Sequence, residues 1–103
     1  MSYFVYLLYS PDFDKYYIGQ TNSIESRLER HNEFELTNSF TSKFRPWFLK
    51  AFVDVGADRG DALRLEKKLK SLKSKTICSQ FAADPTVFQA YADQFFKQKS
   101  AVG

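Results

Sequence analysis

Arg27 and His31 stand four residues apart in Ile24-Glu25-Ser26-Arg27-Leu28-Glu29-Arg30-His31, the spacing that brings side chains together on successive turns of a helix. At about 100° per residue this stretch sorts Glu25, Ser26, Glu29, Arg30 and Glu33 to one side and Ile24 and Leu28 to the other. Arg27 and His31 fall on or beside the Ile24/Leu28 side, which ought to face the rest of the protein. An unpaired guanidinium buried there is costly, so Arg27 either pairs with a carboxylate or lines an open cleft that an anion can reach. His31 alone is a weaker signal, because a histidine at a helix boundary commonly serves as a hydrogen-bonded packing residue. Its relation to Arg27 makes it a candidate.

Glu66 sits at the edge of a second apolar stripe, formed by Ala62, Leu65, Leu69 and Leu72. A lone carboxylate in that place is either half-exposed surface or the single protein ligand of a Mg²⁺ ion that keeps most of its water shell. The same helix carries Arg64, Lys67, Lys68 and Lys70, followed by Lys73 and Lys75. Such a run is most simply a solvated face, and it can also track a phosphate backbone. Lys43 and Arg45 invite the same two readings.

The elements that must position these groups follow from the pattern of apolar residues. Tyr3 to Tyr9 is apolar or aromatic on both alternating faces, which suits a central strand covered on both sides, and Ser10-Pro11-Asp12 breaks it. Tyr16 to Gly19 reads as a second strand, joined by a hairpin, with Gly19 permitting the close approach of another backbone or a ligand. Asn22 and Glu25 have capping-box spacing, and a helix is predicted from about Ser23 to Phe34. Glu35 to Pro46 lacks periodicity, and a connection of that length is functional more often than a short one. Trp47 to Val55 is a third strand, and Asp58 to Asp61 a turn. Ala62 to about Leu72 is a second helix, and Asp84-Pro85 opens a third that reaches about Lys97. The order β-β-α-β-α-α implies an α+β fold, a small three-stranded, mainly antiparallel sheet flanked by helices.

At 103 residues the chain fits one domain, taken here as a core over about residues 3–76 with a helical extension over about 77–103. The aromatic share of 17% points to a core packed with rings. No apolar run is long enough to span a bilayer, and the N-terminus lacks the features of a signal peptide, so a cytoplasmic protein with no membrane partner is expected. The single cysteine, Cys78, has no Cys or His at ligand spacing, and is read as a small buried apolar residue. A net charge of +3 is compatible with a nucleic-acid partner without requiring one.

Two tyrosine-bearing strands followed by a helix with an inward arginine resemble the GIY-YIG nucleases, whose triplets here read Val5-Tyr6-Leu7 and Tyr17-Ile18-Gly19. Tyr17-Ile18-Gly19-Gln20-Thr21-Asn22, then Arg27-Leu28 and His31-Asn32, are similar to small stand-alone bacterial members and to the N-terminal nuclease domain of excinuclease C. Leu65-Glu66-Lys67-Lys68-Leu69-Lys70 continues the likeness, which covers about residues 3–76. The first triplet retains its tyrosine but not its Gly-Ile, and no asparagine follows Asn38, where many active members place one late in the domain.

The resemblance implies a cleft in which Glu66 holds one divalent ion, Mg²⁺ or Mn²⁺, and Arg27 contacts the scissile phosphate. Tyr6 and Tyr17 line the site, and one of them helps deprotonate the attacking water with His31 assisting. The implied activity is a metal-dependent DNA endonuclease acting in repair or recombination on single-stranded, branched or duplex DNA, with Lys43, Arg45, Lys67 and Lys70 along the nucleic acid. Two other readings compete. One is a nucleic-acid-binding module that keeps the fold without turnover. The other is a protein partner docked on the final helix, whose Phe88, Tyr91, Phe95 and Phe96 otherwise pack within the chain. Oligomeric state is not encoded in any of these signals.

Overall fold

The computed structural model describes residues 2–32 and 43–102, with side chains described as far as Lys97. Strands β1 (Tyr3–Ser10), β2 (Lys15–Thr21) and β3 (Phe48–Gly56) form one sheet in the order β2-β1-β3. Both pairings are antiparallel, with Tyr6 opposite Gly19 on one side and Phe52 on the other. The central place of β1 is what its run of apolar residues implies, since both of its faces are covered. Val5 and Leu7 enter the larger core with Ala51 and Val53. Tyr6 and Leu8 point to the opposite face, where they pack with fully buried Trp47 and with Tyr17, Leu28 and Leu49.

The helices are α1 (Ile24–Asn32), α2 (Arg59–Leu72), α3 (Lys75–Ala83) and α4 (Pro85–Val102). Helix α1 begins one residue later than expected, at Ile24; its predicted continuation to Phe34, like most of the long connection, lies outside the described residues. Helix α2 starts earlier than its apolar stripe: Asp58 caps it, its carboxylate accepting from the Gly60 N–H at 2.8 Å, so the expected turn at 58–61 is the first turn of the helix.

Among the described residues the order contains one helix more than the sequence pattern predicts. Lys73 takes a left-handed conformation with φ of 48° and ends α2. Ser74 then caps α3, its hydroxyl accepting from the Ile77 N–H at 3.1 Å. Helix α3 is short and places Cys78 and Phe81 in the core, as expected for Cys78. Asp84 accepts from the Thr86 N–H at 3.0 Å, and Pro85 opens α4. The aromatic stripe of α4 turns inward: Phe88 is buried against Phe81, their rings stacked at 4.7 Å, and Tyr91, Phe95 and Phe96 pack on the same core. That stripe is therefore internal packing, not a free docking face. No helix among the described residues is long and apolar enough to cross a membrane.

Candidate active site

The smaller core face carries the polar groups. Tyr6, on the central strand, is 3% exposed, and His31, from the last turn of α1, is 7% exposed. Helix α1 lies on this face, with Leu28 packed into the same cluster as Tyr6. The Tyr6 hydroxyl and His31 Nε2 are 2.9 Å apart. The Tyr17 ring completes a cluster, 6.4 Å from the Tyr6 ring and 4.8 Å from the imidazole, edge to face with the latter.

Burial holds the Tyr6 phenol well above the ordinary tyrosine range, and the neighbouring Tyr17 and Glu66 push the same way while Arg27 opposes them. Burial also lowers His31 to about 4, helped by the positive charges of Arg27 and Arg30. Near neutral pH the phenol thus keeps its proton and the imidazole is uncharged. The short contact is satisfied when Tyr6 Oη donates to Nε2, which leaves the ring proton on Nδ1 and the lone pairs of Oη facing outward.

Gly19 fits this arrangement by having no side chain. A Cβ at that position would lie 2.4 Å from Tyr6 Oη and 2.5 Å from Cζ. The close approach at Gly19 is that of the cross-strand Tyr6 side chain, not of the backbone or ligand expected there.

Arg27 is exposed and lines a small opening of about 140 Å³ with Tyr3, Gln20, Thr21, Asn22 and Arg59. That opening is a setting in which an anion can reach Arg27. Glu66 comes from α2, which packs beside the edge strand β2, and its charge acts on the Tyr6 phenol. Its side chain is 19% exposed, and Lys70 Nζ stands 3.8 Å from its carboxylate. Lys70 also lies over the Tyr17 ring, 5.2 Å from the centroid, while its side chain remains exposed. Lys67 and Lys43 are exposed, and Arg45 is half-buried, next to a cis peptide bond to Pro46.

Among the described residues no three His, Cys, Asp or Glu side chains converge as a metal cage. A partly exposed carboxylate such as that of Glu66 suits a hard cation such as Mg²⁺, which binds through one or two carboxylates and retains water. The cation also fits electrostatically, since it would cancel the opposition of Glu66 to ionisation of Tyr6.

Asn32 is a residue to which sequence reasoning gives no task. Its amide clamps the backbone of Trp47, accepting from the N–H at 2.7 Å and donating to the carbonyl at 3.1 Å. It ties the end of α1 to the entry of β3 and so fixes His31 against Tyr6.

A model of the GIY-YIG catalytic domain matches residues 2–78, a span that includes Tyr6, Tyr17, Arg27, His31 and Glu66. The chain belongs to the GIY-YIG family. Domains of this family are generally nucleases, hydrolases that act on nucleic acid. No curated protein and no solved structure matches the chain. The family match runs from β1 into α3, so the helix that pattern reasoning misses lies partly inside the shared domain.

Proposed function

We propose that this GIY-YIG protein is a metal-dependent DNA endonuclease that hydrolyses phosphodiester bonds at the Tyr6–Tyr17–His31 cluster. The observation that carries the reading is the buried 2.9 Å contact between a protonated phenol and a neutral imidazole, with the opposed charges of Arg27 and Glu66 both acting on that phenol.

In this reading Arg27 contacts the scissile phosphate and stabilises the charge growing on its non-bridging oxygens. Water attacks phosphorus as its proton passes to Tyr6 Oη, and the proton already on Oη passes to His31 Nε2. The P–O bond to the departing strand end breaks, and the leaving oxygen takes up a proton from solvent. Relaying the proton trades a buried phenolate for a transient imidazolium, which burial and the charges of Arg27 and Arg30 also disfavour, so His31 must pass the proton on to solvent before the next turnover. Tyr17 holds the imidazole edge and fixes the direction of Nε2. Glu66 would hold the divalent cation, Mg²⁺ or Mn²⁺, which supplies Lewis-acid stabilisation of the leaving oxygen.

The test is incubation of purified protein with labelled single-stranded, duplex, flapped and branched DNA in Mg²⁺, Mn²⁺ or EDTA, alongside Arg27→Ala and Glu66→Ala. Metal-dependent cutting that both variants lose supports the reading. Binding without cutting, or equal cutting by all three proteins, overturns it in favour of a nucleic-acid-binding module. A role in repair or recombination becomes the better-supported assignment if flapped or branched DNA is cut in preference to duplex.

A further inference from the structure

A second cavity adjoins the cluster on the far side of Tyr17. It lies between the free edge of β2 and the α2–α3 junction, has a volume of about 340 Å³, and is walled by Tyr16, Tyr17, Ile18, Ser74 and Cys78. Four lysines rim it: Lys15, Lys70, Lys73 and Lys75. Two of these are already matched, Lys70 by Glu66 and Lys75 by Asp14. Lys15 lies over the Phe44 ring, 5.1 Å from its centroid. Among the described residues the four lysines meet two carboxylates, Glu66 and Asp14, the latter acting on Lys15 as well as on Lys75, so the rim keeps a net positive charge around an apolar and aromatic floor.

The four lysines are exposed, and their excess of positive charge is gathered around one apolar cavity. That combination is what a nucleotide unit requires: cations for phosphate and a flat apolar wall for a base. The cavity is at the lower end of the size range for small-molecule sites. It has room for one nucleotide and none for a base pair, and a base enters it only when it is unstacked and unpaired. We propose that this lysine-rimmed pocket holds an unpaired nucleotide of the DNA strand next to the scissile phosphate. Tyr17 is shared by the pocket and the catalytic cluster, so the occupant is an immediate neighbour of the reacting group. The protein thereby selects single-stranded or flapped DNA over continuous duplex. The proposal rests on the nuclease reading in taking a DNA strand as the occupant.

The test is fluorescence anisotropy of a labelled dodecathymidylate strand, an abasic strand of the same length and a hairpin duplex, all in EDTA so that no cutting intervenes. The proteins are the wild type, Lys15→Gln/Lys73→Gln, and Lys97→Gln as an exposed cation outside the pocket. Circular dichroism melts verify that each is folded. The wild type should prefer dodecathymidylate over the abasic strand by about tenfold, the scale of base stacking on aromatic walls. The double variant should lose most of that preference, and its salt slope should fall by about 1.4, about 0.7 for each lost phosphate contact. Lys97→Gln should match the wild type. Equal binding of abasic and base-bearing strands, or a double variant that binds as the wild type does, overturns the pocket. A parallel cleavage assay in Mg²⁺ separates the two readings. Cutting with unchanged strand preference in the double variant sinks the pocket and spares the nuclease. Pocket-dependent binding without any cutting does the reverse.

Discussion

Replacing Gly19 with alanine should damage the protein far more than a glycine-to-alanine change in a strand ordinarily does, because strand interiors generally gain from alanine. The added Cβ would stand 2.4 Å from Tyr6 Oη and 2.5 Å from Cζ, whereas ordinary contact begins near 3.4 Å. The phenol end must therefore retreat by about 1 Å. It has nowhere to go: the ring is 3% exposed, with Tyr17 and His31 packed around it. Overpacking of this kind costs about 1 to 3 kcal/mol. Pulling Oη from His31 Nε2 strands two buried polar atoms for about 1 to 3 kcal/mol more. Some relaxation of β2, an edge strand, reduces the total, and a net loss of about 3 kcal/mol is expected. In a domain of this size that lowers the melting temperature by about 10 to 25 °C. Urea unfolding and thermal melts measure it directly. In a Tyr6→Leu background the crowded atoms are gone, so adding Gly19→Ala should cost less than about 1 kcal/mol, a coupling visible in a double-mutant cycle. A Gly19→Ala protein that melts within about 2 °C of the wild type, or equal costs in the two backgrounds, would refute the reasoning.

Stability should depend on pH through His31. Its folded value of about 4 lies below the unfolded value near 6.5, so as pH falls from about 6.5 toward 4 the unfolded chain binds a proton that the folded one refuses. Stability is then lost across that window by up to about 3 kcal/mol. His31→Gln should flatten the curve in urea titrations between those pH values, and the lowered carboxyl of Asp14 titrates below the window. Asn32→Ala should cost about 1 to 2 kcal/mol by removing two part-buried hydrogen bonds to the Trp47 backbone, measurable as a lower urea midpoint. Arg27→Ala, at an exposed position, should leave the melting temperature unchanged while cutting falls about 10² to 10³-fold in a single-turnover assay. Tyr6→Phe removes the relay hydroxyl and should lower single-turnover cutting by a similar factor; unchanged cutting would assign the base to another group.

The groups at the site are legible in the sequence where local periodicity reports on burial. Arg27 and His31 stand out because they violate the amphipathic pattern of α1, and Glu66 because it sits at the edge of an apolar stripe. The tyrosines do not stand out by pattern, since an aromatic residue in a central strand looks like core, and only the likeness to a family marks them. Helix α3 escapes because its signal is short: a serine cap followed by Cys78 and Phe81, immediately after a lysine in left-handed conformation. Lys73 has no sequence signature for that conformation. The cavity beside β2 is illegible for another reason, as it joins residues 15–18 to residues 70–78 and exists only once the edge strand meets the α2–α3 junction.

The position of Glu66 on α2 also sets a temporal order. Tyr6, Tyr17, Arg27 and His31 all come from one hairpin and the helix that follows it, the outermost two 25 positions apart. Hairpin closure takes about 1 to 10 μs, whereas the pairing of Tyr6 with Phe52 must wait for a much longer loop to close. At a ribosomal pace of about 5 to 20 residues per second, Glu66 is added about 2 to 7 seconds after His31. The emerging chain therefore holds the groups proposed to grip phosphate and relay its proton before it has the carboxylate proposed to hold the cation. On the proposed reading the means to hold the cation arrives only with α2, and chains that end before it lack that means.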